Sequence, residues 1–377
     1  MPGARHVQVR QPPPAASASA AVVVVFLALL AVPRIVRMAY PQVWIEDESY
    51  LNGAFMLARG WLPYRDFPLP HFPALEALLA AVFLVAPISI RTAEVVTGIA
   101  AVLGSALVFL LGREIERSAD APRHMSTVAA IVFATSGLLF RYHVFEREVF
   151  VVPAVVGAVW ILMRGDARLK ARDPSGTRAA SAVAGALLAL AMAFKLTAVA
   201  PLVAVVAGLL LGGRRRDAIV VAITSLGLIA LLALALTAAF GTDFIVQIAL
   251  FRLVHATFPS VAVKLDEMRY TLDVALALGG MGVVLLFWSG AWRRWTAPLL
   301  QLASGFVFLV ALNPTYWAHT GIELLPWLAL PAGYAVASIG RPATRARALL
   351  CTAAAGALLF TAVPVVNLNW AAGVGST

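Results

Sequence analysis

Residues 218–240, Ala218-Ile-Val-Val-Ala-Ile-Thr-Ser-Leu-Gly-Leu-Ile-Ala-Leu-Leu-Ala-Leu-Ala-Leu-Thr-Ala-Ala-Phe240, contain no charged side chain. A membrane-spanning helix needs about 20 apolar residues, and this run is long enough. On either side of it, apolar runs recur at 19–33, 92–112, 125–140, 149–163, 179–195, 196–212, 271–289, 297–312, 322–340 and 347–364. With 61% hydrophobic and only 13% charged residues, the 377-residue chain has more apolar surface than one soluble core can hide. Lipid must serve as its solvent. The expected architecture is all-α, a polytopic transmembrane helical bundle of about 11 spans.

Orientation follows from the basic residues. A cytoplasmic N-terminus puts most of the 29 Lys and Arg inside, among them Arg113, Arg117, Arg123, Arg164, Arg168, Lys170, Arg214, Arg215 and Arg216. That agrees with the enrichment of basic residues in cytoplasmic loops. The formal charge of +10 therefore reads as topology. Because the cations sit in short inter-helix turns and not along one soluble face, a nucleic-acid partner is not expected. The expected divisions are a cytoplasmic tail at 1–18, one transmembrane domain at 19–364 and an outer tail at 365–377, multi-pass in the inner (cytoplasmic) membrane. Run 19–33 follows a Pro/Ala/Ser-rich basic tail, and Arg34 and Arg37 come after it without a small-x-small cleavage site, so it reads as an uncleaved signal anchor. Cys351 is the single cysteine, which leaves no disulfide or cysteine metal cluster within the chain.

One apolar run does not fit as a span. Residues 74–88 are short, carry Glu76, and would put Arg113, Arg117 and Arg123 outside if they crossed. They read as a juxtamembrane helix on the outer face. The first outer loop then covers 34–91, with room for two such helices. It is charged, aromatic and rich in proline: Trp44-Ile-Glu-Asp-Glu-Ser-Tyr50, Trp61-Leu-Pro-Tyr-Arg-Asp66, His71-Phe-Pro-Ala-Leu75. Asp47 and Glu48 are adjacent there, and Glu146, Arg147 and Glu148 lie between two later runs. Ionisable groups at a membrane boundary are costly to keep near lipid, which makes them functional candidates. The alternative is that they are ordinary solvated loop charges.

Together with Leu111-Gly-Arg113, the stretch from Arg141 to Glu148, Phe194-Lys195-Leu-Thr197 and Tyr316-Trp-Ala-His319 before Leu324-Leu-Pro326, these motifs resemble the membrane-embedded C-type glycosyltransferases. The subset is the one containing protein O-mannosyltransferases, lipid A aminoarabinose transferases and their bacterial relatives. The likeness runs in order over about residues 20 to 335. It implies a polyprenyl-phosphate sugar as donor, with its tail in the bilayer, and inverting transfer at the outer face to a hydroxyl of a glycan, lipid or protein. It implies Asp47 as general base with Glu48 as neighbour or substitute, a role typically worth about 10² to 10⁴ in rate. Lys195, Arg65, Arg141 and His319 become candidates for stabilising the departing phosphate. Glu146 and Glu148 match a second acidic site, and Trp61, Tyr64 and His71 become substrate contacts. A divalent ion, Mg²⁺ or Mn²⁺, would use Asp47 and Glu148 as oxygen ligands. The chain lacks the Asp-x-Asp of metal-dependent members, so metal use stays open.

Each of these groups has a plainer reading. Lys195 can snorkel from a helix end, and His319 can be a satisfied interfacial histidine. Trp44, Trp61, Tyr64, Tyr316 and Trp317 can form an aromatic belt. His255, Lys264, Asp266 and Glu267 fall in 241–270, expected as an outer loop serving as lid or acceptor loop. Two other function classes fit a polytopic chain: a transporter or flippase, which would show paired halves and charges at the midplane, and a non-catalytic accessory protein. The acids fall at the outer rim instead, which favours the enzyme. The topology is tested by cysteine-accessibility labelling at Asp66 and Ser175, which should report opposite membrane sides; labelling from one side contradicts it.

Overall fold

A computed structural model of the chain describes residues 45–118, 121–136, 146–170, 174–254, 260–313 and 318–339. Two helices come from the expected first loop, α1 (Ile45–Ala58) and α2 (Ala74–Phe83), and they pack against each other. After them come α3 (Ile90–Ser118), α4 (Met125–Ala134), α5 (Arg147–Lys170) and α6 (Pro174–Phe194). A 3₁₀ turn, Leu196–Ala198, leads into α7 (Val199–Leu211), then α8 (Arg215–Phe240), α9 (Thr242–Val254), α10 (Val261–Trp288) and α11 (Thr296–Val307). The turns Phe308–Leu312 and Ala318–Glu323 precede α12 (Leu325–Ser338). Among the described residues the fold is all-α; the sole β feature is an isolated bridge between Pro63 and Phe67.

Among the described residues, five helical segments are long and apolar enough to cross a membrane: Ile90–Arg117, Arg147–Gly165, Thr177–Phe194, Arg215–Phe240 and Ala291–Leu312. The shorter apolar helices Met125–Ala134, Leu196–Leu211 and Ala275–Trp288 occupy other expected runs. The expected runs at 19–33 and 347–364 and both tails lie outside the described residues. Helix α5 is central and α8 peripheral, with 72% of the apolar window buried in the first and 17% in the second. The difference lies in the side chains. Val151, Val155 and Val159 of α5 pack inward, and α3 and α6 lie against that helix, whereas Ile223, Leu231 and Leu234 of α8 point outward. An all-apolar helix with an exposed flank is stable only where lipid covers it.

Apolar helices in lipid gain little from hydrophobic burial against one another, so close approach of small residues becomes the adhesive. Gly282 of α10 shows this: a Cβ built there would stand 2.0 Å from the Pro331 carbonyl oxygen of α12. On the other side of α12, a Cβ at Gly333 would stand 2.5 Å from the Met125 oxygen of α4. Glycines at these points let three backbones touch.

Within the expected outer loop 241–270, Thr242–Val254 forms α9 and Val261 opens α10. Thr242–Val254 contains no Gly or Pro to break it, and Ser260 caps α10, its Oγ accepting from the Val263 N–H at 3.3 Å. The polar residues of Thr242–Val254 interrupt an apolar run without interrupting the helix. Gly282→Val should lower the thermal unfolding midpoint in detergent, since overpacking costs about 1–3 kcal/mol. Gly227→Ala, at a position with no neighbour within 4 Å, should leave it unchanged.

Candidate active site

Helix α6 ends at Phe194, and Lys195 is extended at φ −153° and ψ 117° before the Leu196–Ala198 turn begins. The Lys195 N–H still reaches the Ala191 carbonyl at 2.9 Å, so the break costs one residue and frees the side chain. That side chain turns toward the first turn of α5, the packed neighbour of α6. Lys195 Nζ donates to Glu148 Oε1, and Glu323 Oε1 lies 2.9 Å from the same ammonium. Thr197 Oγ1 donates to that Glu323 oxygen at 3.4 Å. The Lys195, Glu148 and Glu323 side chains are only 9%, 3% and 11% exposed. Glu148 opens one span and Lys195 follows the end of the next, so the triad sits at membrane-surface depth. An ammonium has three donors. Two are spent on carboxylates, and the third has no partner among the described residues.

A second limb reaches the same place from the first loop. Arg147 Nη2 donates to the Tyr50 hydroxyl at 2.5 Å, and the guanidinium carbon lies 4.8 Å from the Tyr50 ring centroid. The Tyr50 ring meets His71 edge-on at 5.5 Å. His71 Nε2 in turn lies 2.6 Å from Glu76 Oε1, on a carboxylate that is fully buried in α2. Gly53 of α1 permits this, because a Cβ there would stand 3.1 Å from Glu76 Cγ. Burial holds the Tyr50 phenol well above its usual range, Arg147 opposing and Glu146 and Glu148 adding to the effect. Asp47 and Glu48 precede Tyr50 on α1 by three and two residues, so the helix that carries them is fastened beside Glu146 and Glu148. The side chains of Asp47, Glu48 and His319, and all of Arg141 and His255, lie outside the described residues.

Other candidates fall elsewhere. The Leu62–Phe67 segment is a tight turn in which Asp66 Oδ2 accepts from the Leu62 N–H at 2.8 Å and the Leu62 carbonyl accepts from the Asp66 N–H at 2.9 Å. Tyr64 holds a left-handed φ of 67° there, its ring buried against Phe240 and Phe244 and its hydroxyl donating to the His71 carbonyl at 2.6 Å. Burial, with Glu76 nearby, raises its phenol pKa. Gln247 of α9 fastens the turn, donating to the Tyr64 carbonyl at 2.6 Å and accepting from the Leu69 N–H at 2.8 Å. Arg65 is exposed and pairs with Asp66 at 3.0 Å, holding that carboxyl below the usual range. It does not join the Lys195 cluster. Trp61 is half exposed. Lys264 donates to the carbonyls of Val310 and Asn313, at 3.1 and 2.5 Å, tying α10 to the turn after α11.

Glu323 and Gln247 were not singled out from the sequence. Glu323 is the lone acid between 314 and 340, a signal that was available. Glu148 Oε1 already has Lys195 as its counter-charge, and among the described residues no three His, Cys, Asp or Glu side chains converge as a metal site.

No family model and no curated protein matches the sequence. Solved structures do resemble it. ArnT from Cupriavidus metallidurans bound to undecaprenyl phosphate matches with a TM-score of 0.65 at 17% identity, covering 92% of this chain and 66% of that one. The chain has the C-type glycosyltransferase fold. The Archaeoglobus fulgidus oligosaccharyltransferase complex with Zn and sulfate matches at a TM-score of 0.60 and 16% identity, over 90% of this chain and 52% of that one. AglB from Archaeoglobus fulgidus, in complex with an inhibitory peptide and a dolichol-phosphate, matches at 0.58 and 15%, over 92% and 55%. The chain thus spans about two thirds of the ArnT length and about half of the oligosaccharyltransferase length. Within this C-type fold, Glu148, Lys195 and Glu323 join three segments distant in sequence.

Removing the central cation should strand two buried carboxylates. Lys195→Met is expected to cost about 3–5 kcal/mol, read as a fall in the thermal midpoint in detergent. Adding Glu148→Gln and Glu323→Gln to it should recover a large part of that loss.

Proposed function

We propose that the chain is a membrane glycosyltransferase that moves a sugar from a polyprenyl-phosphate donor to an acceptor hydroxyl of a glycan, lipid or protein, at the outer face of the cytoplasmic membrane and with inversion. The observation that carries this reading is the Lys195 ammonium, oriented by Glu148 and Glu323 at a span end with one N–H to spare, in a fold shared with an ArnT bound to undecaprenyl phosphate. A donor whose tail stays in the bilayer brings its phosphate to that depth.

The chemistry follows from the two limbs. Asp47, with Glu48 as substitute, takes the proton of the acceptor hydroxyl as its oxygen attacks the anomeric carbon on the face opposite the phosphate. The bond from that carbon to the phosphate oxygen breaks, and the charge left on the phosphate meets the third N–H of Lys195. Because Lys195 is already fixed by its carboxylates, little reorganisation is needed as charge develops. Glu146 is a contact for the acceptor, and the exposed Trp61 ring is a stacking surface for a sugar. The His71–Glu76 pair and the Tyr50–Arg147 bond position α1, and with it the base. No step requires a divalent ion.

Asp47→Asn keeps the shape and loses the basicity. Turnover of a synthetic polyprenyl-phosphate sugar should fall by about 10² or more while polyprenyl-phosphate binding is retained. Wild-type turnover by the Asp47→Asn, Glu48→Gln double variant contradicts the reading.

A further inference from the structure

A cavity of about 320 Å³ opens between α5 and α6, lined by Trp160, Ile161, Arg164, Gly165 and Ala180. Arg164 is sixteen residues along α5 from Glu148, about 24 Å at 1.5 Å per residue. The apolar window of α5 ends at Gly165, so the cavity lies at headgroup depth on the membrane face opposite Lys195. The ends of three helices meet there: Arg214, preceding α8, donates to the Leu162 carbonyl of α5 at 3.5 Å, and Asp217 of α8 accepts from Ser181 of α6 at 3.0 Å.

The charges at this end are not alike. Arg214 is neutralised by Asp217 at 2.8 Å. Arg164 has no carboxylate partner among the described residues; its guanidinium lies over the Trp160 indole, 5.4 Å from the ring centroid. The cavity therefore has at its rim a cation with no carboxylate partner among the described residues, and apolar walls from Trp160, Ile161 and Ala180. At Gly165 the two helices approach closely, a Cβ built there standing 3.3 Å from that of Ala180. A free phosphate would use the cation and leave the apolar wall unused. An amphiphile with an anionic head uses both.

We infer that this cavity binds an anionic phospholipid of that leaflet, its phosphate on Arg164 and its glycerol and first acyl methylenes along Trp160, Ile161 and Ala180. Basic pockets between spanning helices recognise anionic headgroups in this way. Bound there, the lipid braces the α5–α6 pair whose far ends hold Glu148 and Lys195.

The test is titration of the purified full chain with phosphatidylglycerol, followed by native mass spectrometry. Arg164→Gln should weaken phosphatidylglycerol binding about 5-fold, the size expected for one interfacial arginine. Phosphatidylcholine binding should not change, Arg59→Gln should bind phosphatidylglycerol as the wild type does, and millimolar inorganic phosphate should not displace the lipid. Wild-type affinity in Arg164→Gln, an equal loss in Arg59→Gln, or displacement by inorganic phosphate would overturn the inference.

Discussion

A lysine ammonium taken out of water stays charged only where other groups replace its hydration, and Lys195 obtains both replacements from carboxylates in distant parts of the chain. The rest of the site is arranged around that requirement. Helix α6 must stop at Phe194 so that the side chain can turn, α5 must begin with its acids at the same level, and the turn before α12 must deliver Glu323. Three segments meet in one buried ion cluster. None of them can shift alone without leaving a charge unpaired in a medium of low polarity.

The first-loop pair depends on the same anchor at one remove. Arg147 and Glu148 are adjacent on α5, so fixing Glu148 on Lys195 also fixes the guanidinium that holds Tyr50. From Tyr50 the order runs through His71 to the buried Glu76, with Gly53 allowing α1 to close over that carboxylate. Helix α1 and the Lys195 cluster are thereby joined on a common scaffold. Transfer between two lipid-bounded or surface-bound substrates needs that kind of preorganisation.

Much of this was legible in the residues. Hydropathy located the five long apolar helices because lipid imposes a length and a composition on a crossing helix, and the short run containing Glu76 was recognisable as a separate, shorter helix. Glu148 and Lys195 stood out as ions at span boundaries. Their pairing did not, because nothing local links residues so far apart in sequence. Glu323 was overlooked although it is isolated in an apolar stretch. The Trp61-Leu-Pro-Tyr-Arg-Asp66 segment carried the family resemblance as chemistry, yet here Tyr64 and Asp66 close a turn and Gln247 fastens it. A motif that shapes the backbone and one that touches substrate look alike in sequence. In 241–270 the scattered polar residues pointed to a loop and gave no sign of the helix at Thr242–Val254.

The proposed reaction requires a lipid phosphate to bind where Glu148 and Glu323 present Lys195. Photo-crosslinking the full chain with a polyprenyl phosphate carrying its reactive group beside the phosphate, followed by peptide mapping, tests it most directly. Labelling is expected at residues 195–198 and 318–323, competed by unmodified polyprenyl phosphate. Competable labelling confined to the opposite ends of α5 and α6, with none at those residues, would contradict it.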